Sequence, residues 1–185
     1  ALAKEDEKII VHVSNFRPVK RIGDVITVFD KIQKVMPAKL LMVGDGPERE
    51  NADLLVKELG IRDKILFLGN SDEVNKILCY ADLFLLPSQT ESFGLAALEA
   101  MAAKTPVISS NSGGLPEVNI HSVTGYTSNV GDTADMAKNS IHILEDDHRL
   151  EEFKVRAQKN AQEFSIDKIL PLYEEVYRTV KVGCC

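Results

Sequence analysis

The stretch that decides the fold, residues 81–103, reads ADLFLLPSQTESFGLAALEAMAA. Its first part, Leu83 to Leu86, is a short and continuous apolar run, which is typical of a strand covered on both faces. Its last part, Phe93 to Ala103, has the length and composition of a helix, and the polar residues between the two form a loop. This stretch therefore predicts one strand–loop–helix step of a parallel α/β sheet.

The same step recurs along the chain. Other short apolar runs, rich in branched residues, predict strands at Ile9 to Val13, Ala38 to Val43, Ile65 to Leu68 and Val107 to Ser109. Amphipathic stretches between them predict helices from Ile22 to Met36, near Glu48 to Leu59 and near Glu73 to Tyr80. After about residue 130 only helices are predicted, at Thr133 to Glu145, Arg149 to Glu163 and Ile166 to Val180. We therefore expect one Rossmann-like domain over residues 1–185, with an open parallel sheet, helices on both faces and C-terminal helices.

Composition and charge exclude several classes of function. The 185 residues include 28 acidic and 22 basic ones, so the net charge of −6 gives no general attraction to nucleic acid or anionic lipid. No apolar run approaches the roughly 20 residues that cross a membrane, and the polar start of the chain does not resemble a secretory signal. The three cysteines, Cys79, Cys184 and Cys185, lack zinc or redox spacing, which favours a reducing compartment. We expect a cytoplasmic protein without a metal site, because the four histidines also lack ligand spacing.

The loop after the first predicted strand is basic. Ligands of an open parallel sheet bind at the carboxyl ends of its strands, so the loops at that edge are the candidate site. Arg17, Lys20 and Arg21 stand just before a predicted helix, whose first amides also attract anions. The loop therefore predicts a local phosphate site, although a solvated charge cluster would have the same composition.

Two further loops are rich in glycine. Gly44 follows the second predicted strand, and Gly113 and Gly114 follow the fifth. Glycine allows a backbone to approach a ligand closely, but an ordinary turn would look the same. The first of these loops lacks the G-x-G-x-x-G spacing of a dinucleotide site.

The loop that leaves residue 86 carries two separated acids. If Glu99 lies two turns inside the following helix, it stands roughly 12 Å along the axis from Glu91, which is too far for a catalytic pair. Carboxylates repel phosphate but accept hydrogen bonds from hydroxyls, so the two acids suit the two ends of an elongated ligand. The amides of Phe93, Gly94 and Leu95 would then face its anionic middle. Alternatively, Glu91 only favours the helix start and Glu99 is a surface residue.

Taken together, these loops resemble the C-terminal nucleotide-sugar-binding domain of retaining GT-B glycosyltransferases of family 4. The resemblance covers nearly the whole chain. It is most specific in residues 81–88, Glu91 to Gly94, Glu99 to Ala102 and residues 113–117. Two positions depart from the family pattern, because Asn15 stands where its arginine is common and Lys104 stands where a helix-ending glycine is common.

The resemblance implies roles for the loop residues. Arg17 and Lys20 would hold the donor diphosphate, Glu91 would bind the donor sugar, and these three are the implied catalytic residues. Glu99 would bind the ribose hydroxyls. The implied donor-binding set is Arg17, Lys20, Gly44, Glu91, Ser92, Phe93, Gly94, Leu95 and Glu99.

The resemblance also implies a larger enzyme. Such enzymes are about twice as long, with an N-terminal acceptor domain that is absent here, so weak turnover is expected from one domain that cannot close the cleft to water. The apolar face of the final predicted helix would cross to that domain or pack on its own. Similarity of residues 14–21 and 40–48 to one family member implies UDP-N-acetylglucosamine as donor, L-malate as acceptor and no cofactor. The alternatives are a non-catalytic UDP-sugar-binding module and a sugar-nucleotide epimerase of the same architecture.

Overall fold

Six parallel strands form the centre of the fold in the computed structural model, which describes residue 4 and residues 6–164. The order across the sheet is β3-β2-β1-β4-β5-β6, and every pair of neighbours is parallel. The strands are β1 (Lys8–Val13), β2 (Ala38–Val43), β3 (Ile65–Gly69), β4 (Leu83–Leu86), β5 (Val107–Ser110) and β6 (Gly125–Ser128). All loops that follow strands therefore meet at one edge of the sheet.

Helices connect the strands and cover both faces. They are α1 (Ile22–Gln33), α2 (Arg49–Glu58), α3 (Val74–Cys79), α4 (Leu95–Ala102), α5 (Leu115–Val118), α6 (Thr133–Leu144) and α7 (Asp147–Glu163), with short 3-10 turns at Pro18–Lys20 and Arg62–Lys64. Successive residues of β1 point to opposite faces, so Ile10 lies in the core under α1, α2 and α6, whereas Val11 lies in the core under α4 and the second half of α7. These two cores hold the sheet in place between helical layers.

The sheet confirms the predicted fold class, but the prediction missed strand β6 and began helix α4 too early. Strand β6 was not predicted, because its four residues, Gly-Tyr-Thr-Ser, contain no apolar run. Helix α4 begins at Leu95 rather than Phe93, since Gly94 adopts a left-handed φ of 89° that cannot continue a right-handed helix. The predicted helix over 166–180, Cys184 and Cys185 lie outside the described residues. Within the described part of the chain, no helix has the length and apolar character needed to cross a membrane.

Candidate functional site

The candidate site lies where the strand order reverses. The chain moves outward from β1 through β2 to β3, and on the other side from β4 through β5 to β6. The connections that leave β1 and β4 therefore diverge and open a crevice at the carboxyl ends of the two strands. Paired residues join β1 and β4 only at Ile10 with Leu83 and at Val11 with Phe84. The loops after β1 and β4 form the two walls of this crevice.

An ion pair joins the two walls. Lys20 Nζ donates to Glu91 Oε2 at 2.6 Å, and each side chain is only about one-fifth exposed, at 19% and 18%. A backbone hydrogen bond of 2.8 Å from the Gln89 amide to the Val19 carbonyl ties the same walls together. The structure thus brings together two of the predicted site residues that are 71 positions apart in the sequence.

The other two cations of the basic loop have different surroundings. Arg21 Nε donates to Asp24 Oδ2 at 2.5 Å, so its guanidinium is engaged by its own helix. Arg17 is exposed, and no ion pair of its guanidinium is found in the described part of the chain. Of the three, Lys20 and Arg17 therefore remain the candidates for an anionic ligand.

Gly44 packs directly against the loop after β1. It is buried with a φ of +116°, and a Cβ at this position would lie 1.7 Å from the Ser14 carbonyl oxygen. Any side chain here would displace the backbone that leads to Arg17 and Lys20. The close approach of this glycine is therefore made to the loop after β1, and its predicted role in donor binding stays a prediction.

The loop after β5 supports the loop after β4 in the same way. A Cβ on Gly113 would lie 2.0 Å from the Glu91 carbonyl oxygen, and the Gly114 amide donates to that oxygen at 2.9 Å. The Ser112 hydroxyl donates to the Gln89 carbonyl at 2.6 Å. These contacts fix the backbone that carries the Glu91 side chain toward Lys20.

The start of α4 lies beside Glu91 and carries no side-chain cap. Gly94 is its N-cap residue, and its first turn contains no acidic side chain. The first amides of a helix have no partner inside the helix, so this start presents donors and a partial positive charge. Phe93 and Leu95 are exposed at this rim, at 42% and 60%, and Ser92 is exposed as well.

Glu99 lies one turn inside α4 rather than two. Because the helix begins at Leu95, Glu99 is about 6 Å along the axis from the helix start, and it is exposed. The premise that Glu99 lies two turns inside the helix was therefore wrong, because residues 91–94 precede the helix. Glu91 and Glu99 nevertheless occupy distinct places, one in the loop and one on the helix.

Two polar residues of the crevice, His12 and Ser14, were not predicted as site residues. His12 is fully buried in β1, with Nδ1 at 2.8 Å from the Leu85 carbonyl and Nε2 at 2.8 Å from the Ser14 hydroxyl. Burial lowers the pKa of His12 from 6.5 to about 4, against the Leu85 hydrogen bond that raises it. The Lys20 cation lowers this pKa further, and Glu91 raises it. The signal in the sequence was a single histidine within an apolar strand, two residues before a serine.

Other surfaces of the molecule are weaker candidates. A surface groove of about 780 Å³ lies between α1 and α6 and includes Lys31, Lys138 and Tyr126. The start of α6 is already capped by Asp132, so this groove lacks the open helix start of the crevice. Among the residues that the structure describes, no group of three His, Cys, Asp or Glu side chains is placed to hold a metal ion.

Two solved structures superpose closely on most of this chain. Sucrose-phosphate synthase from Thermosynechococcus elongatus superposes with a TM-score of 0.85 and 29% identity, over 96% of this chain and 46% of that one. HepE from Anabaena, solved in complex with UDP, superposes with a TM-score of 0.86, over 94% of this chain and 49% of the HepE chain. HepE is 24% identical, so its likeness concerns the fold alone. The chain has the fold found in GT-B glycosyltransferases, and it covers just under half of each of these two structures.

The sequence comparisons identify the family. Residues 1–164 match the family model Glycosyl transferases group 1. The chain is 48% identical over 177 residues to N-acetyl-alpha-D-glucosaminyl L-malate synthase of Bacillus anthracis, which covers 95% of this chain and 46% of that protein. The chain therefore belongs to the glycosyl transferases group 1 family, and it spans just under half the length of this relative.

Proposed function

We propose that this chain is the donor-binding domain of a retaining glycosyltransferase, with UDP-N-acetylglucosamine as donor and L-malate as acceptor. The observation that carries the proposal is the meeting of Lys20 and Glu91 across the crevice, beside the uncapped start of α4. The sugar and the acceptor come from the 48% identical relative, whose name specifies a glucosaminyl group and L-malate. UDP comes from the resemblance of the four loops to family 4 domains.

The cations and the helix start suit the diphosphate of such a donor. Arg17 is exposed at the mouth of the crevice and Lys20 lies inside it, so both can approach a phosphate from one wall. The first amides of α4 approach from the other wall, and the dipole of that helix favours an anion. These groups provide local positive potential in a chain whose net charge is −6.

The two acids suit the neutral ends of the donor. Glu99 is exposed on α4, where it would accept hydrogen bonds from the ribose hydroxyls. Glu91 accepts a hydrogen bond from Lys20 across the crevice. When the diphosphate takes the Lys20 ammonium, Glu91 is released to accept hydrogen bonds from the hydroxyls of the sugar. The ion pair thus keeps both side chains oriented until the ligand separates them.

The proposed reaction transfers the sugar with retention of configuration. The bond between the anomeric carbon and the diphosphate oxygen breaks while an acceptor hydroxyl forms the new bond on the same face of the sugar. The departing diphosphate takes the hydroxyl proton, and Arg17 and Lys20 stabilise the negative charge that develops on it. A second, N-terminal domain would supply the acceptor site and close the cleft to water.

We also propose a cytoplasmic location. Cys79 is an exposed thiol that forms no disulfide among the described residues, which suits a reducing compartment.

Calorimetry with UDP and with UDP-N-acetylglucosamine tests the proposal. We expect both to bind the unmodified chain, Glu99→Ala to weaken both about tenfold, and Glu91→Ala to weaken only the sugar nucleotide. Glu58→Ala is the matched control, because Glu58 is exposed at the C-terminal end of α2, and it should change the affinity for neither ligand. Equal effects of Glu91→Ala on the two ligands would contradict the separate roles of the acids. Failure of the unmodified chain to bind either ligand would overturn the proposal itself.

A further inference from the structure

The side chain of His12 lies where the central strands separate. The last paired residues of β1 and β4 are Val11 and Phe84, although β1 continues to Val13 and β4 to Leu86. Beyond that pair, the His12 imidazole spans the two strands and its Nδ1 lies 2.8 Å from the Leu85 carbonyl oxygen. A side chain thus connects the strands at the point where the crevice opens.

The partners of His12 define its tautomer. The Leu85 carbonyl can only accept, so Nδ1 carries the hydrogen and donates it. Nε2 is then an acceptor, and the Ser14 hydroxyl donates to it at 2.8 Å. Burial keeps this ring neutral at physiological pH, because it lowers the pKa of His12 to about 4. In a protonated ring Nε2 would also carry a hydrogen, so it could no longer accept the hydrogen bond from the Ser14 hydroxyl.

Ser14 continues the series of hydrogen bonds into the basic loop. Its Oγ accepts from the Phe16 amide at 3.3 Å, and Phe16 is held in a left-handed conformation with a φ of 36°. Such a backbone conformation is costly for an aromatic residue and persists only where the surroundings determine it. Phe16 is fully buried, and the chain turns there toward Arg17 and Lys20.

We propose that His12 and Ser14 are positioning residues, whose hydrogen bonds run from β4 into the loop after β1 and place Lys20 for the donor diphosphate. The proposal rests on the proposed function, because the positioned residue, Lys20, is the one proposed to bind the donor diphosphate. Neither residue is expected to touch the ligand. The series is Leu85 carbonyl, His12 imidazole, Ser14 hydroxyl and Phe16 amide, and it links the two walls of the crevice beneath the Lys20–Glu91 ion pair.

Serine variants separate positioning from simple stabilisation. Ser14→Ala removes the link, Ser14→Thr keeps a hydroxyl, and Ser140→Ala is the matched control, since its buried hydroxyl donates only to the Met136 carbonyl within α6. We expect Ser14→Ala to weaken UDP binding about tenfold in calorimetry and Ser14→Thr to restore it to within about twofold. Ser140→Ala should lower the melting temperature by a similar amount and leave UDP binding unchanged. Unchanged UDP affinity in Ser14→Ala would overturn the proposal.

Nitrogen NMR of the unmodified chain tests the link without any ligand. Long-range proton–nitrogen spectra should show His12 as the neutral tautomer with hydrogen on Nδ1, and Ser14→Ala should shift the amide signals of residues 16–20. The opposite tautomer, or amide shifts no larger than those from Ser140→Ala, would overturn the proposal. If the unmodified chain fails to bind UDP while these spectra agree, the proposed function fails and the positioning of the loop stands.

Discussion

The helices that start at the crevice begin differently from the two helices that follow the sheet. At the crevice, α1 and α4 start from Arg21 and Gly94, both left-handed, and no side chain caps either start. Away from it, α6 and α7 start from Asp132 and Asp146, whose carboxylates accept hydrogen bonds from amides of the first turn. The side-chain caps of α6 and α7 stabilise the starts of these two helices. The starts of α2, α3 and α5 also lack side-chain caps, so an open start does not by itself indicate a ligand site. The start of α4 differs from them because it lies beside the Lys20–Glu91 ion pair, where we propose that the diphosphate binds.

The crevice is held in shape by backbone packing instead of caps. Its loops contact one another through glycines that admit no side chain, such as Gly44 under Ser14 and Gly113 under Glu91. The starts of α6 and α7, in contrast, are each held by a side-chain cap within the first turn. The two regions should therefore respond differently to substitution, to acid and to ligand.

The largest effect should come from a methyl group in the crevice backbone. Gly44→Ala would place Cβ 1.7 Å from the Ser14 carbonyl oxygen at a φ of +116°, so the loop must move. We expect a loss of more than about 3 kcal/mol of unfolding free energy in urea titrations. The control is Gly60→Ala, where φ is +68° and no atom lies within 4 Å, and it should cost only about 1 kcal/mol. Equal losses would show that the contact between the loops does not matter.

Acid should weaken the two regions in different pH ranges. His12 has a pKa of about 4 when folded and 6.5 when unfolded, so the unfolded chain binds the extra proton between these values. Above pH 6.5 the neutral ring does not oppose folding. As the pH falls from 6.5 to about 4, protonation of His12 in the unfolded chain lowers the free energy of unfolding by up to about 3 kcal/mol. The hydrogen bond from the Arg149 amide holds the pKa of Asp146 below 3.8, so stability from this cap is lost only below that pH.

Urea titrations from pH 7 to pH 3 on paired variants measure this difference. Relative to the unmodified chain, His12→Gln should flatten the stability curve between pH 6.5 and 4, whereas Asp146→Asn should change the slope of that curve only below about pH 4. If His12→Gln left the slope between pH 6.5 and 4 unaltered, the buried neutral histidine would not be the cause.

Removal of a cap from α6 should affect stability alone. Asp132→Ala deletes the hydrogen bond of 2.9 Å to the Asp135 amide, which is expected to cost about 1 kcal/mol. Because α6 starts outside the crevice, calorimetry should give the same UDP affinity as in the unmodified chain. A clear loss of UDP affinity would contradict the division of the molecule into these two regions.

A small gain is expected at the far end of α4. Lys104 is exposed and left-handed, with a φ of 65°, at the position where the sequence resemblance led us to expect a glycine. Lys104→Gly should raise the unfolding free energy by about 0.5–1 kcal/mol, because glycine adopts this conformation without strain. Lys57→Gly, an exposed position inside α2, is the matched substitution and should lower stability by about 1 kcal/mol. If both variants raised the unfolding free energy, or both lowered it, the left-handed conformation of Lys104 would not be the cause of the change.

The sheet could be predicted from the sequence because its strands are covered on both faces. The bounds of β2 and β4 were predicted to the residue, since continuous apolar runs identify such strands. The edge strand β6 has no such run, and its residues only become a strand by pairing with β5. The start of α4 was missed because apolar spacing does not reveal the left-handed conformation of Gly94.

The candidate site was predictable only in part, and the reason is distance along the chain. Basic and acidic loops at strand ends directed attention to Lys20 and Glu91, but their ion pair depends on loop shapes that periodicity does not describe. His12 was not predicted as a site residue, because the four histidines were considered only as metal ligands and lack the spacing for that role. Only its two hydrogen-bond partners, Leu85 and Ser14, distinguish it from a core residue.

Titration of the nitrogen-15-labelled chain with UDP tests the central claim most directly. If the phosphates bind between the loops after β1 and β4, the largest amide shifts should fall in residues 14–21 and 91–97. Residues of α6 and α7 should stay nearly unchanged. Shifts confined to α6, α7 or the groove between α1 and α6 would contradict the account, because the nucleotide would then bind away from the open helix start.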